Sequence, residues 1–177
     1  IYNSDEKVTA AGVFASANGK GLGDTAQDIL VSGDDVFISV NVSKIIFVTD
    51  RDLKIKNEIV AKLPDGTTPS PRYLAQGPEG KIYVTYDEGY LGEISAYDYS
   101  VRVTPVGASP EGCAYSSGRV FVSNSGGANY PNYEKTVSMV DAESLRESDR
   151  IEVNVNPATM VASGDIIYLL SLGDYGA

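Results

Sequence analysis

Apolar residues along this chain alternate with polar ones or gather in runs of four to six rich in Val, Ile, Tyr and Phe. Nowhere do they keep the i, i+3, i+4, i+7 spacing through three turns. The pattern predicts short strands throughout and almost no helix. The strands recur in a fixed phrase of proline, apolar run, glycine turn, aromatic strand, and a second apolar strand closing on aspartate. It begins at Pro71, Pro110 and Pro157, with turn glycines Gly80, Gly118 and Gly164 and closing aspartates Asp98 and Asp141 in the two copies that run to completion. An earlier copy lacks the proline but carries Gly33 and Asp50.

The turn glycines lie 47, 38 and 46 residues apart, and a period in the forties built from strands alone is that of propeller blades. The expected fold is therefore all-β, a β-propeller of four-stranded antiparallel blades, with about three and a half blades in residues 1–177. In the second copy strands a to d are expected at 73–76, 81–85, 93–98 and 101–106. Propellers close into rings, and six to eight blades at this period need about 250 to 350 residues. The chain accordingly reads as one segment of a larger ring.

Strand alternation decides where function can sit. The b-to-c loops and d-to-a connections emerge on one face, and the short glycine turns on the other. Loop 124–135 is far longer than the two to five residues of an ordinary hairpin, and carries Asn124, Asn129, Tyr130 and Tyr133. Loop 86–92 contributes Tyr86, Asp87 and Tyr90, and the d-to-a connections contribute Arg72 and Glu111. Tyrosine on a rigid loop offers a broad apolar face with a hydroxyl rim at low entropic cost, which suits a flat polar ligand or a protein. These nine residues are the candidate ligand-binding set, expected as one continuous rim.

Composition narrows the chemistry. A net charge of -10 disfavours nucleic acid and anionic lipid as partners, and no apolar run reaches the eighteen or so residues of a membrane-spanning helix. Histidine is absent, which weakens serine hydrolase, zinc and two-histidine iron chemistry. The acidic pairs lack calcium-loop spacing. Cys113, flanked by Gly112 and Ala114, reads as a small buried apolar residue. No catalytic residue, metal site or intrinsic cofactor is assigned.

The segments Ser16-Ala-Asn-Gly-Lys-Gly-Leu-Gly-Asp-Thr-Ala-Gln-Asp28, Ser70-Pro-Arg-Tyr73, Ser109-Pro-Glu-Gly112 and Asn124-Ser-Gly-Gly with Tyr130-Pro-Asn-Tyr133 resemble the YncE-like surface propellers of Bacteroidetes. That resemblance implies a seven-bladed ring on a lipid-anchored outer-membrane surface protein. For some members it also implies capture of cobalamin, as in vitamin B12 transport, for a TonB-dependent transporter. The expected function is thus non-enzymatic capture of a large polar ligand, with cobalamin or another corrinoid as the candidate. The alternatives are a propeller hydrolase or lactonase with a channel metal, and a protein-docking scaffold of a surface layer.

Overall fold

A computed structural model describes residues 1–175. A short hairpin, β1 (Tyr2–Asn3) with β2 (Val8–Thr9), leads to a six-residue helix α1 (Val13–Asn18). Three four-stranded antiparallel sheets follow. The first is β3 (Ala26–Ser32), β4 (Asp35–Val40), β5 (Ile45–Thr49) and β6 (Ile55–Ile59). The second is β7 (Pro71–Gln76), β8 (Lys81–Tyr86), β9 (Tyr90–Ser95) and β10 (Val101–Pro105). The third is β11 (Pro110–Ser116), β12 (Arg119–Asn124), β13 (Thr136–Asp141) and β14 (Arg146–Glu152). A two-stranded sheet, β15 (Pro157–Ser163) with β16 (Ile166–Ser171), ends the series. Helix α1 lies ahead of the first blade, so the strand reading holds across the blades themselves.

Each part of the recurring phrase has a physical job. Gly33, Gly80, Gly118 and Gly164 all sit in a-to-b turns with positive φ, at 60°, 74°, 78° and 58°, which glycine adopts without a Cβ clash. The closing aspartates cap the c-to-d turns. The Oδ1 of Asp50, Asp98 and Asp141 accepts the backbone N–H of Asp52, Ser100 and Ser144 respectively. The prolines open strand a, where a missing N–H costs little, and each is followed by a bulge, between Pro71 and Leu74, Pro110 and Cys113, and Pro157 and Met160.

That bulge joins one blade to the next. Opposite it on strand b stand Ser39, Thr85 and Ser123, whose hydroxyls donate to strand-a carbonyls of the following blade: Arg72 at 2.5 Å, Glu111 at 2.7 Å and Ala158 at 2.5 Å. Apolar faces do the rest. Phe37, Ile46, Val48 and Ile59 of the first blade meet Leu74, Ile82, Val84 and Ile94 of the second. Ala75, Tyr83 and Leu91 of the second meet Cys113, Val120, Val122 and Val140 of the third. Ala114 and Val137 of the third meet Met160 of the fourth. Cys113 is buried as the sequence suggested, and burial pushes its thiol pKa up to about 12.

Two sequence expectations are corrected by the strand ends. Strand b runs one residue further than 81–85, through Tyr86, and strand c occupies Tyr90–Ser95 in place of 93–98, because Asp87-Glu88-Gly89 closes a tight turn in which the Gly89 N–H reaches the Tyr86 carbonyl. Tyr86 is therefore a core residue, 1% exposed, between the first and second blades. Its hydroxyl is buried without a hydrogen-bond partner among the described residues, and burial raises its pKa. Leaving a buried hydroxyl unpaired costs about 1 to 3 kcal/mol. Tyr86→Phe is accordingly expected to stabilise the chain by about 1 kcal/mol, raising Tm by roughly 2 to 4 °C. A thermal melt showing a lower Tm would contradict this reading of the hydroxyl.

Candidate ligand-binding face

The b-to-c and d-to-a segments form a single rim held by backbone hydrogen bonds. In every blade the residue just after strand b donates to the residue just before strand a: Asn41 to Thr25, Asp87 to Ser70, Ser125 to Ser109, and Leu172 to Asn156. Between loops and connections, Val106 N–H reaches the Gly89 carbonyl within the second blade, Gly126 N–H of the third blade reaches the Ala108 carbonyl in the connection before it, and Asn156 N–H in the connection after the third blade reaches its Glu134 carbonyl. The loops of the second and third blades are thus hydrogen-bonded to the connections beside them.

Two groups of side chains stand on it. The first gathers near the propeller axis. The Nη1 of Arg72 lies 2.8 Å from Glu111 Oε1 and 3.2 Å from Asp87 Oδ1, and Asp87 Oδ2 accepts from Asn41 Nδ2 at 2.9 Å. Burial raises the Glu111 pKa, with Arg72 pulling the other way. Below this network the wall of strands a encloses a concavity of about 420 Å³, lined by Asp28, Tyr73, Cys113, Thr159 and Met160 among others. Asp28 Oδ2 is itself occupied by the Leu74 N–H.

The second group is aromatic. Tyr130 and Tyr133 meet edge to face at 5.9 Å, and Tyr133 meets Tyr175 in the same manner at 6.0 Å. Tyr130 and Tyr175 are 70% and 69% exposed. The loop beneath is no loose connection. A short 3-10 turn, Gly127–Asn129, is flanked by hydrogen bonds from Asn129 N–H to the Gly126 carbonyl and from Glu134 N–H to the Ser125 carbonyl.

The candidate residues therefore part into four sets. Arg72, Asp87 and Glu111 share one network, and Tyr130 and Tyr133 share the other, with exposed Asn129 beside them. Tyr90 is half-buried against the core of the first two blades. Tyr86 and Asn124 leave the ligand set. Asn124 has no exposed surface; its Oδ1 accepts from Gly107 N–H at 3.1 Å and its Nδ2 donates to Thr136 Oγ1 and Ser138 Oγ at 3.0 and 2.9 Å. Both occupy the position paired with the opening proline of strand a, Pro71 with Tyr86 and Pro110 with Asn124. Aligning the repeats by their prolines places both inside strand b. Sequence reasoning missed Tyr175 and Asn41, because each becomes part of the face only through a partner distant along the chain.

The arrangement defines the protein as a β-propeller with one elaborated loop face. The solved structures it resembles agree. Streptogramin B lyase matches with a TM-score of 0.67 at 16% identity over 84% of this chain and 48% of that one. The WD40 β-propeller domain of Doa1 matches at 0.63 and 14% over 82% and 46%, and AztD from Citrobacter koseri at 0.58 and 13% over 86% and 43%. The chain spans less than half the length of each. No protein-family model and no curated protein matches it.

Proposed function

We propose that this segment is a non-enzymatic binding module whose loop face captures a large polar ligand, with cobalamin or another corrinoid as the candidate. The observation that carries the reading is the edge-to-face cluster of Tyr130 and half-buried Tyr133, both on a hydrogen-bonded loop, with Tyr175 from the segment after β16; Tyr130 and Tyr175 are exposed. Preset aromatic rings lose little entropy when a ligand settles on them. Tyrosine faces stack on the ligand, while Asn129 and open backbone groups meet its amides. Favouring capture over a channel metal, Asp87 and Glu111 are held by Arg72, and Asp28 by a backbone N–H. Anchoring at the cell surface and delivery to a TonB-dependent transporter belong to the same proposal and rest on the resemblance of the sequence.

Isothermal titration with cyanocobalamin tests it. Tyr133→Ala, which removes the ring that touches both neighbours, is expected to weaken binding about tenfold, about 1.4 kcal/mol, and Tyr130→Ala by a similar amount. Asp34→Ala, in a fully exposed glycine turn on the opposite face, is expected to change nothing. Lys81 is no neutral control, since its Nζ donates to the Ala142 carbonyl of the next blade and faces buried Glu93. Absence of binding by the unaltered protein removes the corrinoid; binding insensitive to both tyrosines moves the site elsewhere.

A further inference from the structure

The residue before each opening proline is polar, Ser70, Ser109 and Asn156 in turn, and its side chain holds the b-to-c segment of its own blade. Ser70 Oγ donates to Glu88 Oε1 at 3.0 Å, Ser109 Oγ accepts the Ala128 N–H at 3.2 Å, and Asn156 Nδ2 donates to the Gly173 carbonyl at 3.1 Å. The device recurs, but what it holds differs. In the second blade it holds a tight turn. In the third it holds the long loop of Tyr130 and Tyr133, and in the fourth the segment that leads to Tyr175.

Ser109 and Asn156 are both buried and both take positive φ, 45° and 58°, a conformation that persists in a non-glycine residue where its surroundings impose it. Those surroundings are the aromatic loops. The buried Ser125 hydroxyl donates to the Ser109 carbonyl at 2.8 Å and accepts the Gly127 N–H at 3.1 Å, so two serine hydroxyls take up the first two N–H groups of the 3-10 turn that carries Asn129 toward Tyr130. Asn156 stands between the rings. Its N–H reaches the carbonyl of Glu134, the neighbour of Tyr133, and its carbonyl takes the Leu172 N–H while its amide holds Gly173. We propose that Ser109 and Asn156 are positioning residues of the aromatic site, setting Tyr130, Tyr133 and Tyr175 against one another before a ligand arrives; the inference rests on the capture reading above. Rings fixed in advance leave less ordering to be done on binding.

Amide-resolved hydrogen exchange of the ligand-free chain is the first test. Ser109→Ala is expected to speed exchange at Gly127 and Ala128 about fivefold, the loss typical of one cap, and to leave β12 and β13 as slow as before. Asn156→Asp keeps the size and the tolerance for positive φ but turns the donor into an acceptor, and should speed exchange at Leu172 and Gly173 by a similar factor. Titration with cyanocobalamin is the second. Each variant is expected to weaken binding about fivefold, whereas Ser70→Ala, which frees a loop bearing none of the three rings, should leave the affinity unchanged. In a Tyr133→Ala background both changes should cost clearly less, because a residue that acts through a ring loses its effect once the ring is gone. Unchanged exchange in either variant overturns the proposal, and that arm decides even where the unaltered protein binds no cyanocobalamin, a result that removes the corrinoid alone. Equal weakening by Ser70→Ala, or full additivity with Tyr133→Ala, also overturns it.

Discussion

Asn124→Ala is expected to lower stability by about 3 kcal/mol, since a buried amide with three partners disappears and leaves the Gly107 N–H orphaned, at about 1 to 3 kcal/mol for that group alone. For a chain of this size the loss corresponds to roughly 6 to 12 °C in Tm. The location explains the size of the effect. Asn124 ends strand b of the third blade, is fully buried, and ties the d-to-a connection at Gly107 to strand c at Thr136 and Ser138. Gly107 makes room for it, because a Cβ there would overlap the Asn124 side chain. Gly107→Ala should therefore destabilise by displacing the same amide, and the double variant should lose clearly less than the sum of the two singles. Thermal melts of the four proteins give the cycle, and strictly additive losses would show that the two positions act separately.

Gly112→Val is the second large effect, expected at about 3 kcal/mol through overpacking at the junction of the third and fourth blades. A Cβ on Gly112 would lie 2.8 Å from the Ala158 carbonyl oxygen and 3.2 Å from the Met160 nitrogen. Both are backbone atoms of the neighbouring inner strand, so relief requires the blades to part. Parting them also strains the 2.5 Å hydrogen bond from Ser123 Oγ to that same carbonyl. The loss should concentrate at this junction. Hydrogen exchange is expected to speed up in β15 and β16 more than in the first two blades, and uniform acceleration across all blades would contradict a local cause.

Both changes fall within the segments that suggested a ligand face in the sequence, and both act on the scaffold instead. Gly112 adjoins Glu111 and Asn124 adjoins the long loop, yet neither reaches the surface. In a repeat built on bulged inner strands, one position decides between axis, core and rim. Arg72 and Glu111 follow directly on the prolines and point to the axis, where they pair with each other. The residues paired with those prolines on the facing strand, Tyr86 and Asn124, end strand b and point inward.

The repeat phrase by itself determined the architecture. Proline, glycine turn and closing aspartate are each required by local backbone geometry, a strand opening, a positive φ and a side-chain cap, and such needs are written within a few residues of where they act. The same local logic put the long loop and the d-to-a connections on one face. Which side chains of that face meet solvent was decided only by tertiary structure. Tyr86 and Asn124 look like loop residues until strand pairing with Pro71 and Pro110 turns them inward. Tyr175 becomes a neighbour of Tyr133, and Asn41 of Asp87, only when blades stack. Burial depends on contacts between segments some forty residues apart, and no pattern within one repeat encodes its neighbour across the junction.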